Sequence, residues 1–126
     1  MITGFIDALG QPKIRLTVLG LRGQVDIEPV IDTGFDGDLC LPIPIAISLG
    51  LELHGCQTVE LADGSRRREL VFIGTVLFDG ENRPVEISIT EAEDALVGTG
   101  LLATHKLDIG FLGKTVRLTD ERQSRT

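Results

Sequence analysis

The sequence predicts an all-β, or nearly all-β, domain, and two observations carry this. Short apolar runs, several with polar residues at alternate positions, recur about nine times, mostly bounded by Gly, Pro, Asn or Asp. One stretch alone carries the punctuation of a whole helix, and it is short. At 126 residues and 42% hydrophobic content the chain suits a single domain with a modest core. Five Phe with no Trp or Tyr make that core aliphatic.

In order, residues 2–7 alternate weakly and give a first strand, broken by Gln11-Pro12. Lys13 to Leu19 is apolar at Ile14, Leu16 and Val18 with polar residues between, the period of a half-buried strand. Leu21-Arg22-Gly23-Gln24 turns the chain, and Val25 to Ile31 returns as a third strand, antiparallel because the connection is short. Leu39 to Leu41 starts another. Pro42-Ile43-Pro44 before, and Gly50 after, a run of helix-compatible residues predict a helix over 43–49. Gln57 to Leu61 and Arg67 to Phe78 flank Ala62-Asp63-Gly64-Ser65, whose Asp-Gly pair suits a hairpin. Pro84 to Thr90 and Ala95 to Val97 are strands around an acidic turn at 91–94. Leu101 to His105 suits a helical turn, and Lys106 to Phe111 with Lys114 to Leu118 a last hairpin. The polar tail from Thr119 to Thr126 is expected to fray, so the domain is drawn as 1–118.

Composition excludes several function classes. Twelve Lys plus Arg against 19 Asp plus Glu give a net charge of −7, which disfavours nucleic-acid backbone and anionic membrane as partners. No run approaches the ~18 apolar residues of a spanning helix, and the first ten residues lack a basic start and a long apolar core, so no signal peptide is expected. Cys40 and Cys56 lack metal-type spacing and read as reduced thiols in a cytoplasmic protein.

The chemistry concentrates in Val30-Ile31-Asp32-Thr33-Gly34-Phe35-Asp36-Gly37. Two β-branched residues lead into a carboxylate, a hydroxyl and two glycines, and Leu39-Cys40-Leu41 resumes at once. A buried strand thus ends in a tight loop that fixes Asp32, with Gly34 and Gly37 expected to supply positive φ. A carboxylate held this way is either a turn-former or a working acid/base. The pattern echoes in Leu96-Val97-Gly98-Thr99-Gly100, again two aliphatics, one variable position and Thr-Gly. The echo suggests two half-units about a local pseudo-twofold, with Gly98 in the place of Asp32.

Asp32-Thr33-Gly34 after two aliphatics, a flap-like hairpin and a late Leu96-Val97-Gly98 resemble the retropepsin-type aspartic proteases, over roughly residues 13–118. Within that clan the stretch through Leu41-Pro42 is most similar to the single-domain bacterial and archaeal members. The resemblance implies a closed β-barrel with one or two short helices and a homodimer in which each copy supplies one Asp32 to a shared-proton pair. One carboxylate activates water and the other polarises the carbonyl of a peptide or protein substrate. No cofactor or metal is implied. By the same resemblance Thr33 braces the two loops across the dimer, Gly34 admits substrate backbone, and Asp36 contacts the substrate main chain. Ala62, Asp63 and Gly64 form the flap tip over the substrate, and Val97 and Gly98 pack beneath the Asp32 loop, whereas Phe35 departs from the family, replacing the usual small residue after Asp-Thr-Gly and narrowing the substrate groove. Thr99 and Gly100 depart from the viral pattern, which often has Arg then Asp or Asn there, so the ion pair to the position of Asp36 is absent.

Other readings are weaker. Asp32, Asp36 and Asp38 lack the alternating ligands and distal glutamate of a calcium loop. His54, Cys56, Cys40 and His105 lack paired zinc spacing. Arg66-Arg67-Arg68 reads as a solvated flap strand, with a preference for acidic partners as the minority view. A groove lined by Ile31, Phe35 and Val97 would expose apolar surface that a second copy would cover. Two functions stand: a homodimeric aspartic endopeptidase, and a noncatalytic dimerisation or peptide-binding module of the same fold, the latter motivated by Phe35, Thr99 and Gly100.

Overall fold

A computed structural model describes residues 1–122. Strands β1 (Ile2–Ile6), β2 (Pro12–Lys13), β3 (Leu16–Leu19), β4 (Gln24–Ile27), β5 (Val30–Ile31) and β6 (Leu39–Pro42) lead to helix α1 (Ile43–Leu49). Strands β7 (Glu52–Glu60), β8 (Arg66–Phe78), β9 (Glu81–Thr90) and β10 (Leu96–Val97) precede α2 (Thr99–Leu102), and β11 (His105–Gly110) and β12 (Thr115–Asp120) close the described chain. The mostly-β expectation and its two short helices hold.

The strands form one sheet in the order β11-β12-β1-β2-β5-β10-β6-β9-β8-β3-β4, with β7 pairing β8 outside that path. The sheet is not closed, which corrects the closed barrel. Its terminal strands do not pair with each other among the described residues. Both carry charge along the edge, Asp26 on β4 and Lys106 and Asp108 on β11, and such edges resist further pairing.

Two strands predicted as continuous are each split. Residues 13–19 divide at Ile14-Arg15 because β2 pairs with β1 and β5 whereas β3 pairs with β4 and β8. Residues 25–31 divide at Glu28-Pro29, where Pro29 has no N–H for a ladder and gives its carbonyl to the Ile14 N–H at 3.3 Å. The final strand runs to Asp120, past the boundary drawn at 118, and residues 123–126 of the predicted tail lie outside the described residues.

Helix α1 matches its expected span. Proline stands in its first turn, and Gly50 ends it in the left-handed region at φ 64°, donating its N–H to Ile47 O at 3.2 Å. Ala46 and Leu49 turn inward. The core is aliphatic, with Ile14, Leu39, Leu41, Ile87, Val97, Val116 and Leu118 fully enclosed, Phe78 buried among them and Phe72 packed against them. Each such side chain stabilises the fold by about 1.5–3 kcal/mol. This core backs β5, β6 and β10, so the loop that leaves β5 rests on a rigid floor.

Candidate active site

Asp32 follows Ile31, which is 6% exposed, and the strand carrying it is pinned on one side by β10. The two strands run parallel with Val30 opposite Leu96 and Ile31 opposite Val97. This register is that of the sequence echo, so the two copies of the pattern lie side by side and Asp32 comes level with Gly98. Strand β10 also pairs antiparallel with β6, Leu96 opposite Cys40 and Val97 opposite Leu39. The chain therefore leaves β5 on one flank of β10, loops across its end, and returns on the other flank as β6.

Backbone hydrogen bonds fix this loop. The Asp32 N–H donates to Val97 O at 3.0 Å, Gly98 to Asp38 O at 3.1 Å, Thr99 to Phe35 O at 2.8 Å and Gly100 to Gly37 O at 3.1 Å. The Thr99 hydroxyl also donates to Phe35 O at 3.3 Å. Where the viral pattern has an arginine, this chain braces the loop through Thr99 and the main chain.

Gly98 is sterically required. A Cβ there would lie 2.3 Å from Gly37 O and 2.5 Å from Phe35 O, both backbone atoms that cannot swing aside. Gly34 and Gly37, however, do not take the positive φ expected of them; the left-handed glycines are Gly10, Gly50, Gly64 and Gly80. The loop is closed by its bonds to 98–100 instead, and Gly37 serves packing, since a Cβ there would meet the Phe35 ring at 2.6 Å.

Asp32 is half-buried, and its Oδ1 accepts the Gly34 N–H at 2.9 Å, the turn-forming bond that the sequence allowed. That bond orients the carboxylate without neutralising it: Asp32 makes no ion pair with any described residue. A carboxylate so placed can take or give a proton if a second carboxylate approaches it. Thr33 and Asp36 are exposed on the same loop and Phe35 is half-exposed. The expected apolar groove of Ile31, Phe35 and Val97 is corrected, because Ile31 and Val97 are core residues and Phe35 alone reaches the surface.

Beside the loop lies a cavity of about 370 Å³ bounded by Phe35, Asp36, Asp38, Val59, Glu86 and Leu96 among others. Val59 and Glu69 bring the stems of the β7–β8 hairpin to this cavity. The tip residues Ala62, Asp63 and Gly64 do not line it and stand exposed. The tip is a tight turn in which Leu61 N–H donates to Ser65 O at 2.7 Å and Gly64 takes φ 84°. The Ser65 hydroxyl holds the Asp63 carboxyl below its ordinary range. Sequence reasoning did not place Asp38 and Glu86 in this site. Asp38 Oδ2 accepts the Glu86 N–H at 3.0 Å across a separation of 48 residues, a contact without local signature. Cys40 forms part of the same wall, and burial pushes its thiol pKa up.

A second polar cluster stands apart from this loop. His105 Nε2 lies 3.2 Å from Asp79 Oδ2, and its Nδ1 lies 3.0 Å from the Thr104 hydroxyl. Asp79, His105 and Asp120 offer ligand atoms all within 4.8 Å of one another. Their carboxylates already have cations, the Met1 amine at 2.7 Å from Asp79 and the Arg122 guanidinium at 2.8 Å from Asp120. A metal would have to displace one of these.

No family model matches the chain, and a search of curated proteins finds no sequence match. Solved structures do match. A retropepsin-like aspartic protease from Rickettsia conorii superposes with a TM-score of 0.66 at 18% identity, over 93% of this chain and 88% of that one. The EIAV protease complexed with the inhibitor HBY-793 gives 0.59 at 12% identity, over 77% and 89%. The simian foamy virus protease gives 0.54 at 12% identity, over 72% and 91%. The chain has a retropepsin-like fold. No described helix is long and apolar enough to cross a membrane.

Proposed function

We propose that this protein is an aspartic-type endopeptidase that works as a homodimer, each copy supplying one Asp32. The observation that carries this reading is the Asp32 carboxylate, fixed by the Gly34 N–H and without an ion pair to any described residue, at the end of a core strand and level with Gly98, in a loop whose later residues from Phe35 onward line an open groove. Two such carboxylates brought together cannot both ionise, so they share one proton and titrate as a pair. The ionised member takes a proton from water as that water attacks the peptide carbonyl. The protonated member donates to the carbonyl oxygen, and the proton then passes to the leaving amine. Thr33 would brace the dimer, Gly34 and Asp36 would meet the substrate backbone, and the tip at Ala62–Gly64 would close over it. No metal or cofactor takes part. A reducing, cytoplasmic location belongs to the same proposal and rests on the two unpaired thiols, Cys40 and Cys56.

The second reading, a noncatalytic peptide-binding or dimerisation module, is favoured by Thr99 and Gly100, which bond to the loop through their main chain and leave Asp36 without an ion-pair partner among the described residues. Digestion of a diverse peptide mixture across about pH 4 to 7, the range in which a shared-proton pair works, separates the two. The endopeptidase reading expects cleavage by the wild type and none by Asp32→Asn, together with a dimer in sedimentation. Active monomer, or equal cleavage by both proteins, overturns it.

A further inference from the structure

The groove beside the Asp32 loop joins two kinds of surface. Its apolar lining includes Phe35, Val59 and Leu96. Phe35 is half-exposed and does not pack into the core; its ring rests against the backbone of Gly37 and Gly98, where added Cβ atoms would meet it at 2.6 Å. It is an aromatic face held in place by two glycines and turned toward the groove. The same groove is also lined by Asp36, Asp38 and Glu86.

These three carboxylates share the groove, and no described cation is paired with any of them. Elsewhere Asp7 pairs with Lys13, Glu28 with Arg15, Asp79 with the Met1 amine, and Asp120 with Arg122. Glu69, a fourth carboxylate on the groove, is neutralised by Arg67 at 2.9 Å. Asp36, Asp38 and Glu86 make no ion pair with any described residue, and Asp38 spends one oxygen on the Glu86 N–H. An apolar side chain entering here would desolvate these carboxylates without compensation, and an acidic one would be repelled. A side chain with a long apolar stem and a cationic head suits this mixed lining, its stem against Phe35 and Leu96 and its head among the carboxylates.

The geometry points to a specificity subsite in this groove that takes a lysine or arginine side chain of the bound peptide. This rests on the endopeptidase reading for the peptide's path along the groove. The Arg66–Arg68 run does not line this groove, and Arg67 of that run is paired with Glu69.

The test uses one pool of random octapeptides in two ways. Wild type and Glu86→Gln are used to digest the pool, and cut sites are read by mass spectrometry. Immobilised Asp32→Asn, with and without Glu86→Gln, is used to retain pool members, which are then sequenced. Asp36→Asn replaces Glu86→Gln if the latter does not fold. The expected result is enrichment of Lys and Arg at one position flanking the cut by about fivefold, the scale of a partly exposed charge pair, with most of it lost in Glu86→Gln. Cleavage without basic enrichment overturns the subsite and leaves the endopeptidase standing. Absence of cleavage, with Glu86-dependent retention of basic peptides, supports the subsite and overturns the endopeptidase. Neither cleavage nor retention overturns both.

Discussion

The two carboxylate clusters of this molecule are built in opposite ways. Around His105, each carboxylate has its cation. Asp79 holds the Met1 amine and faces His105, and Asp120 receives two guanidinium N–H groups from Arg122 at 2.8 and 3.1 Å. Arg122 holds the Asp120 carboxyl down at about 2, and the Met1 amine, then His105, lower that of Asp79. These groups tie the first strand, the β8–β9 turn and the end of the last strand together. At the Asp32 loop the carboxylates are held by backbone N–H groups instead, Asp32 by Gly34 and Asp38 by Glu86, and no described cation answers them. Matched charge ties distant parts of the chain together in the first cluster; in the second the carboxylates are oriented by the main chain and left without a described cation.

The sharpest way to break this contrast is Asp32→Asn. An amide oxygen can still accept the Gly34 N–H, so unfolding stability should stay within about 0.5 kcal/mol of wild type. Peptide cleavage should fall by on the order of a thousandfold or more, as when a central catalytic group is removed. A variant that loses stability and activity together would make Asp32 a turn residue first. Gly98→Ala should act the other way round. Its Cβ would sit 2.3 Å from Gly37 O, so the loop must move or the strand must shift. A cost of about 3 kcal/mol is expected, read as a melting temperature lower by roughly 10 °C. An unchanged melting temperature would show that the loop yields, and that Asp32 is less firmly fixed than its hydrogen bonds imply.

Much of the loop was legible because its signals are local. Val30-Ile31 before Asp32-Thr33-Gly34, and the same spacing in Leu96-Val97-Gly98-Thr99-Gly100, mark two strand ends whatever they pair with, and the structure sets them in matching register. The helix at 43–49 and the hairpin turning at 61–65 likewise carry their punctuation in sequence. What was not legible is non-local. Glu86 reaches Asp38 through the parallel pairing of β6 with β9, which no spacing announces. The His105 cluster assembles residues spread from Met1 to Arg122. The splitting of residues 13–19 follows from their serving two parts of the sheet, and the open sheet from how its outer strands end. The expectation of positive φ failed at both glycines: Gly37 is a packing requirement against the Phe35 ring, and Gly34 lies in a turn that does not need the left-handed region.

The matched cluster has its own signature in acid. Because Arg122 depresses the folded value of Asp120 to about 2 from an ordinary 3.8, the stability gained is complete above the ordinary value and is lost as pH falls toward the folded one. The urea midpoint of the wild type should therefore drop between about pH 5 and 2. In Arg122→Gln, Asp120 returns toward its ordinary value and that part of the drop should shrink, while the midpoint at neutral pH falls. An identical acid profile in both proteins would remove Arg122 as the cause.

The smallest effect tests how the Asp32 loop manages without the arginine of the viral pattern. Thr99 gives the loop two donors to one acceptor, its N–H at 2.8 Å and its hydroxyl at 3.3 Å from Phe35 O. Thr99→Val keeps the shape and the backbone bond and removes only the longer one. A single exposed hydrogen bond of this length should contribute about 0.5–1 kcal/mol, visible as a small shift in urea midpoint. If the endopeptidase reading holds, cleavage should change little, because the backbone bonds from 98–100 still fix the loop. A large loss of cleavage with a small loss of stability would mean that the hydroxyl sets the position of Phe35, and through it the groove, more tightly than the main chain does.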